Sequence, residues 1–222
     1  MPQRTKFNRS MIHYNQVAGQ NVKRIEALSD GVFAIALTLL VLEIKVPEMH
    51  VHSEEELFHV LAELAPKFLS YFLSFMTMGI FWTGQALQLS YIENYNRDLN
   101  WNSLFFLLLV SLLPFTTAFL GQYIEFKLAI GIYWLNILLL GLLLYIHWNY
   151  ACKKNFIPLQ ADEMKAIDKA VRRRIIIAQG LYLFGALLSF INPYISIGFI
   201  ILVQLNYAFA FFSPRIPKKP KR

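Results

Sequence analysis

Arg24-Ile-Glu-Ala-Leu28-Ser29-Asp30-Gly-Val-Phe-Ala-Ile35-Ala-Leu-Thr38-Leu39-Leu-Val-Leu42-Glu43 is the stretch on which the fold turns. Between Asp30 and Glu43 every residue except Thr38 is apolar or glycine. With Ile25 as its start and Pro47 as its stop, the run reaches the ~20 residues a helix needs to cross a hydrocarbon core of roughly 30 Å. Charged groups at the edge of such a run are expensive and are usually paired. The stretch therefore reads as a membrane-spanning helix that opens on a polar cluster, Arg24, Ser29 and Asp30, expected to bond to neighbouring spans.

The rest of the chain has the same character. It has 222 residues, of which 56% are hydrophobic and only 16% charged, with a mean hydropathy of +0.44. A soluble domain carries about 25% charged residues. Apolar runs predict six spans, near residues 25–46, 68–92, 101–123, 128–151, 175–191 and 194–212, with Asn192-Pro193 as the turn between the last two. The fold class is an all-α membrane protein, divided into a polar segment 1–22, a six-helix body 23–213 and a basic tail 214–222.

Charge gives the orientation. With the N-terminus in the cytoplasm, eighteen of the 21 Lys and Arg fall on the cytoplasmic side, leaving only Lys45, Lys67 and Lys127 outside. Both termini are then cytoplasmic and the span number is even, in a cell (plasma or inner) membrane. The net charge of +7 is accounted for by this asymmetry. The Pro217-Lys-Lys-Pro-Lys-Arg222 tail reads as an anchor to anionic lipid rather than to nucleic acid. Residues 51–65, with Ser53 as cap and Glu56 in the capping-box position, predict a short external amphipathic helix. Residues 159–173 predict a cytoplasmic helical extension leading into the fifth span.

No span holds the paired carboxylates or histidine chains of a proton-coupled carrier, and no nucleophile, phosphate loop or metal-ligand spacing stands out, so an enzyme is not expected. His52 and His59 read as solvated surface residues, and His147 as a residue at headgroup level. The single Cys152 excludes an intrachain disulfide. No metal or cofactor is expected.

At about 100° per residue, Ile35, Thr38, Leu39 and Leu42 fall on one stripe of the first helix, and Asp30 projects about 140° from Ile35. On spacing alone such a stripe is packing or lipid contact. Arg24 and Asp30 lie about 120° apart and are poor partners for one another. Trp82, Gln85, Asn102 and Ser103, at the inner ends of the second and third spans, are the candidate partners of the polar cluster.

Arg24-x-x-x-Leu28-Ser29-Asp30 with the apolar run after it resembles the prokaryotic branch of the transmembrane-protein-175 potassium channels, whose hallmark is Arg-x-x-x-Phe-Ser-Asp. The likeness extends through Gly79-Ile80-Phe81-Trp82 and Ser111-Leu-Leu-Pro114-Phe-Thr-Thr117. The resemblance implies a homotetramer whose four first helices line a central pore. It implies a hydrophobic constriction at Ile35, with Thr38, Leu39 and Leu42 as further pore-facing layers. Arg24, Ser29, Asp30, Trp82 and Gln85 would form the structural polar network. The permeant ion would be K+, among monovalent cations, conducted passively. Leu28 stands where the family has Phe and is expected to pack. Gln85 stands where a histidine is common, so a group that could bind a proton is missing there. Ser103 replaces an asparagine. The rival readings are a secondary transporter, for which the repeats and broken helices are not visible, and a non-conducting membrane scaffold.

Overall fold

A computed structural model describes residues 21–47 and 52–209. Nearly all of the polar segment 1–22, the whole tail 214–222 and residues 210–212 of the sixth expected span lie outside the described residues. Seven helices follow in order: α1 (Val22–Leu42), α2 (Glu54–Glu63), α3 (Ala65–Tyr91), α4 (Arg97–Gln122), α5 (Lys127–Lys153), α6 (Ala161–Leu188) and α7 (Pro193–Phe209).

Local chemistry sets most of these boundaries. Ser53 Oγ accepts from the Glu56 amide at 3.2 Å and opens α2, while the Glu56 carboxylate accepts from the His52 amide at 2.8 Å, one residue before the usual capping-box position. Leu64 separates α2 from α3, which bend by 42° against each other, and Pro66 sits in the first turn of α3, where its missing N–H does no harm. Asn96 Oδ1 caps α4 by accepting from the Leu99 amide at 3.0 Å. Asn155, at φ 56°, takes the left-handed conformation just beyond the end of α5. Asn192 Oδ1 accepts from the Tyr194 and Ile195 amides and Pro193 opens α7, so the expected turn is a capped helix start.

The extension expected at 159–173 and the fifth span are one continuous helix, α6, which ends at Leu188 rather than Ile191. Its first half is charged and its second half apolar. For that reason α6 as a unit is not among the helices that are apolar throughout: α1, α4 and α5 are each long and apolar enough to cross a membrane, and α2 with α3 as a bent pair. Helix α7 is apolar and shorter.

Helix α4 packs on α1, α3 and α5, and the α6–α7 hairpin leans on α5 through α6 and on α3 through α7. At the heart of the bundle Phe33 of α1, Phe81 of α3 and Phe106 of α4 meet, with Phe106 6.1 Å from Phe33 and 6.2 Å from Phe81, ring centre to ring centre. Gly185 lets α6 and α7 approach closely. A Cβ there would lie 2.7 Å from Ile200 Cγ1, and the Gly185 carbonyl accepts from Ser196 Oγ at 2.7 Å.

The interior is unusually polar. Tyr133 Oη lies 3.2 Å from Ser74 Oγ and 3.0 Å from Thr77 Oγ1, Thr117 Oγ1 donates to Ser74 at 2.6 Å, and Gln204 Nε2 donates to Thr77 at 2.7 Å. All five side chains are buried. Conversely, Trp101, Phe105, Leu108, Leu112 and Phe115 form an exposed apolar stripe along α4. Lipid tails are as apolar as leucine, so helices in a bilayer are joined by small residues and hydrogen bonds while apolar side chains face outward.

Candidate functional site

Helix α1 has two sides. Its buried residues are Ile25, Ser29, Phe33, Ala36 and Leu40, spaced by three and four, which places them within an arc of about 80°. Ile35, Thr38, Leu39 and Leu42 lie on a separate arc about 100° wide, and all four are exposed; Ile35 is 62% and Leu42 66% accessible. From Ile35 to Leu42 the stripe rises about 10 Å along the helix. Thr38 Oγ1 donates to the Ile35 carbonyl at 2.8 Å, so its proton is committed to the helix and its lone pairs remain free.

Two adjacent residues fix how α1 is turned. Ser29 Oγ donates to Gln85 Oε1, and both side chains are buried. Trp82 Nε1 donates to Asp30 Oδ1 at 2.8 Å on the more open side of the same contact. Trp82 and Gln85 are three apart on α3 and therefore share a face. Two hydrogen bonds from neighbouring residues leave α1 little freedom to rotate against α3, and they point the Ile35 stripe away from its own bundle.

Four residues of the expected polar cluster thus meet, and the fifth does not. Arg24 is exposed and makes no side-chain hydrogen bond or ion pair among the described residues. The reason is rotational: eleven residues before Ile35, Arg24 projects within about 20° of it, on the face that α1 turns away from its own chain. It lines an open cleft beside the first turns of α1 together with Leu28, Leu89 and Glu93. Leu28, expected to pack, is 46% exposed on that side. Of the other candidate partners, Ser103 bonds elsewhere, and Asn102 Oδ1 is buried without a partner among the described residues.

Ser103 belongs to a chain that the sequence reading missed. His147, expected at headgroup level, is buried within the bundle, 3% exposed. Its Nδ1 lies 2.9 Å from Gln88 Oε1 and its Nε2 3.0 Å from Tyr95 Oη, which is 2.6 Å from Ser103 Oγ. Gln88 Oε1 can only accept, so His147 Nδ1 carries a proton and donates to it, and a neutral ring then lets Nε2 accept from Tyr95 and Tyr95 accept from Ser103. Burial pushes the Tyr95 phenol up, so it stays a donor. The chain ties the loop after α3 to α4 and α5. Each member looks like an isolated polar residue near a span end; only their depth relative to one another reveals the chain.

Comparison with known proteins gives consistent results. A family described as the endosomal/lysosomal potassium channel TMEM175 matches residues 24–114. A potassium channel of Chamaesiphon minutus is 33% identical over 189 residues, 83% of this chain and 92% of its own length. One from Chryseobacterium is 30% identical over 184 residues, 82% of this chain and 90% of its own. The crystal structure of a lysosomal potassium-selective channel TMEM175 homolog from Chamaesiphon minutus superposes with a TM-score of 0.73 at 32% identity, covering 85% of this chain and 97% of that one.

Proposed function

The chain belongs to the TMEM175 family, and on that premise we propose that it is one subunit of a potassium channel, in which four copies enclose a passive pore between their α1 helices. The observation that carries this reading is the two-sidedness of α1. One face is consumed by packing and by the Ser29–Gln85 and Asp30–Trp82 bonds, and the other leaves Ile35, Thr38, Leu39 and Leu42 exposed among the described residues. A single helical bundle cannot enclose a pore with one helix face, so closure needs further copies related by rotation.

Ile35 is the narrowest ring. Four isoleucine side chains repel water and gate by dewetting as much as by contact, and a modest turn or splay of α1 widens them. Thr38, one turn outward, offers hydroxyl oxygens to a cation leaving that ring. Arg24, Ser29, Asp30, Trp82 and Gln85 act on assembly and on helix orientation, not on the ion. The body, residues 23–213, crosses the cell membrane six times, with α2 outside, the start of α6 inside and both termini in the cytoplasm. Conduction is passive and needs no cofactor; K+ is the permeant ion.

Reconstitution tests this directly. In liposomes carrying an outward K+ gradient, wild-type protein should pass K+ in preference to Na+ without saturating coupling to a second ion, with proton flux measured alongside. Ile35→Asn should raise conductance and erode the preference for K+. Unchanged conductance and selectivity in that variant would remove Ile35 from the pore.

A further inference from the structure

Helices α3 and α6 are not in close contact. Helix α6 packs on α5 and α7, and α7 packs on α3, which leaves a partly enclosed slot between α3 and α6. On α6 its wall runs from Val171 through Arg174, Ala178 and Gln179 to Tyr182, with Gly84 on α3 opposite and Leu144 of α5 behind. From Val171 to Tyr182 the slot follows the helix for about 16 Å. Most of its lining is apolar.

The slot carries one charge, a turn in from its Val171 end. Arg174 is the last of the basic residues that open α6, and the apolar part of the helix begins at Ile175. That places Arg174 where a span enters the headgroup layer. Its guanidinium lies 5.6 Å from the centre of the Tyr207 ring on α7 and has no carboxylate partner among the described residues. Two residues earlier, Arg172 is committed differently: it bonds Asp168 at 2.6 Å and also donates to Tyr145 and Asn149. Arg174 is therefore a cation held against a ring, with no hydrogen-bond acceptor among the described residues. Further in, Gln179 donates to the Ile137 carbonyl at 3.3 Å, while its Oε1 is buried without a partner among the described residues and its second N–H remains available. Along α6 from Arg174 the slot thus offers a cation and then an amide with spare hydrogen-bonding capacity, set in an otherwise largely apolar lining.

We propose that this slot is a binding site for an anionic phospholipid, with the phosphate on Arg174, an ester oxygen within reach of Gln179 and one acyl chain between α3 and α6. The order of chemistry along the slot matches a phospholipid read from headgroup to tail. A soluble phosphate compound would use Arg174 and leave the apolar remainder empty. An unfilled apolar slot forfeits the dispersion contacts of its lining, which a chain restores. A lipid so placed would bridge α6 and α3 and stiffen the hairpin against the bundle.

Native mass spectrometry of the delipidated, assembled protein tests the site, with phosphatidylglycerol and phosphatidylcholine added separately. Wild-type protein should retain phosphatidylglycerol over phosphatidylcholine. Arg174→Gln should lower phosphatidylglycerol occupancy roughly fivefold, the effect of about one cationic contact at a lipid surface, and Arg174→Lys should keep most of it. Ala178→Phe, which fills the slot, should lower the occupancy of both lipids. Arg173→Gln, an exposed neighbour, should change neither. Equal losses in Arg173→Gln and Arg174→Gln would mean diffuse attraction and overturn the site. So would unchanged lipid counts in Ala178→Phe, with or without a loss of assembly, the latter marking the slot as a contact between copies. Inorganic phosphate displacing phosphatidylglycerol at millimolar concentration would overturn the lipid in favour of a free anion.

Discussion

Ser29 and Gln85 show why a buried polar pair has to be tested as a pair. Both are buried and each is the other's partner. Ser29→Ala leaves the Gln85 carbonyl oxygen without a donor in a dry interior, which costs about 1–3 kcal/mol. The double variant Ser29→Ala with Gln85→Leu removes both polar groups and should recover most of that loss, as read in the thermal unfolding of the detergent-solubilised protein. Trp82→Phe should do less damage to stability, because Asp30 is exposed and can take a water in place of the indole. Its expected signature is a shifted single-channel conductance, since that bond helps set the rotation of α1. Arg24→Gln should leave the helical content of the chain unchanged and weaken assembly, because nothing described in its own chain holds it. Intact tetramers at full yield from that variant would contradict the placement of Arg24 on the face shared between copies.

Among the elements, α6 and its surroundings depend on two close fits. The Gly185 contact admits no side chain: the Cβ and branches of Gly185→Val would run into Ile200 and Phe199, and overpacking of this kind costs about 1–3 kcal/mol. Lower yield of folded protein and an earlier melting transition are the expected outcome. The charged half of α6 is held at its other end by Asp168, which accepts from Trp148 Nε1 at 2.9 Å as well as from Arg172. Hydrogen bonds to a charged group are worth about 1.5–3 kcal/mol. Partial exposure of this pair lowers that figure. Asp168→Ala should therefore speed amide exchange in residues 161–172 several-fold and leave α4 unaffected. Uniform acceleration across the bundle would show instead that the clamp supports the whole fold.

At the scale of the whole molecule, the proposed six-span topology makes a sidedness prediction. The chain has one cysteine, Cys152, so Cys152→Ser gives a background for placing labels. In intact cells a membrane-impermeant maleimide should modify His59→Cys on α2, and should reach Asn155→Cys, just past α5, only after permeabilisation. The opposite pattern would invert the orientation read from the Lys and Arg distribution.

The sequence by itself determined the helical class, the approximate positions of the helices and the two-sidedness of α1. These depend on local hydropathy, on proline and capping residues, and on helical periodicity, all of which act over a few residues. The helix start at Ser53 is legible for the same reason. Partner choice is not local. Which group Asp30 would meet, that His147 would be buried among Gln88, Tyr95 and Ser103, and that α3 and α6 would leave a slot lined by Arg174 depend on contacts more than fifty residues apart or on how three helices share one space. Only tertiary packing decided these, because a polar side chain at a span end has many candidate partners until the depth and rotation of every helix are fixed together.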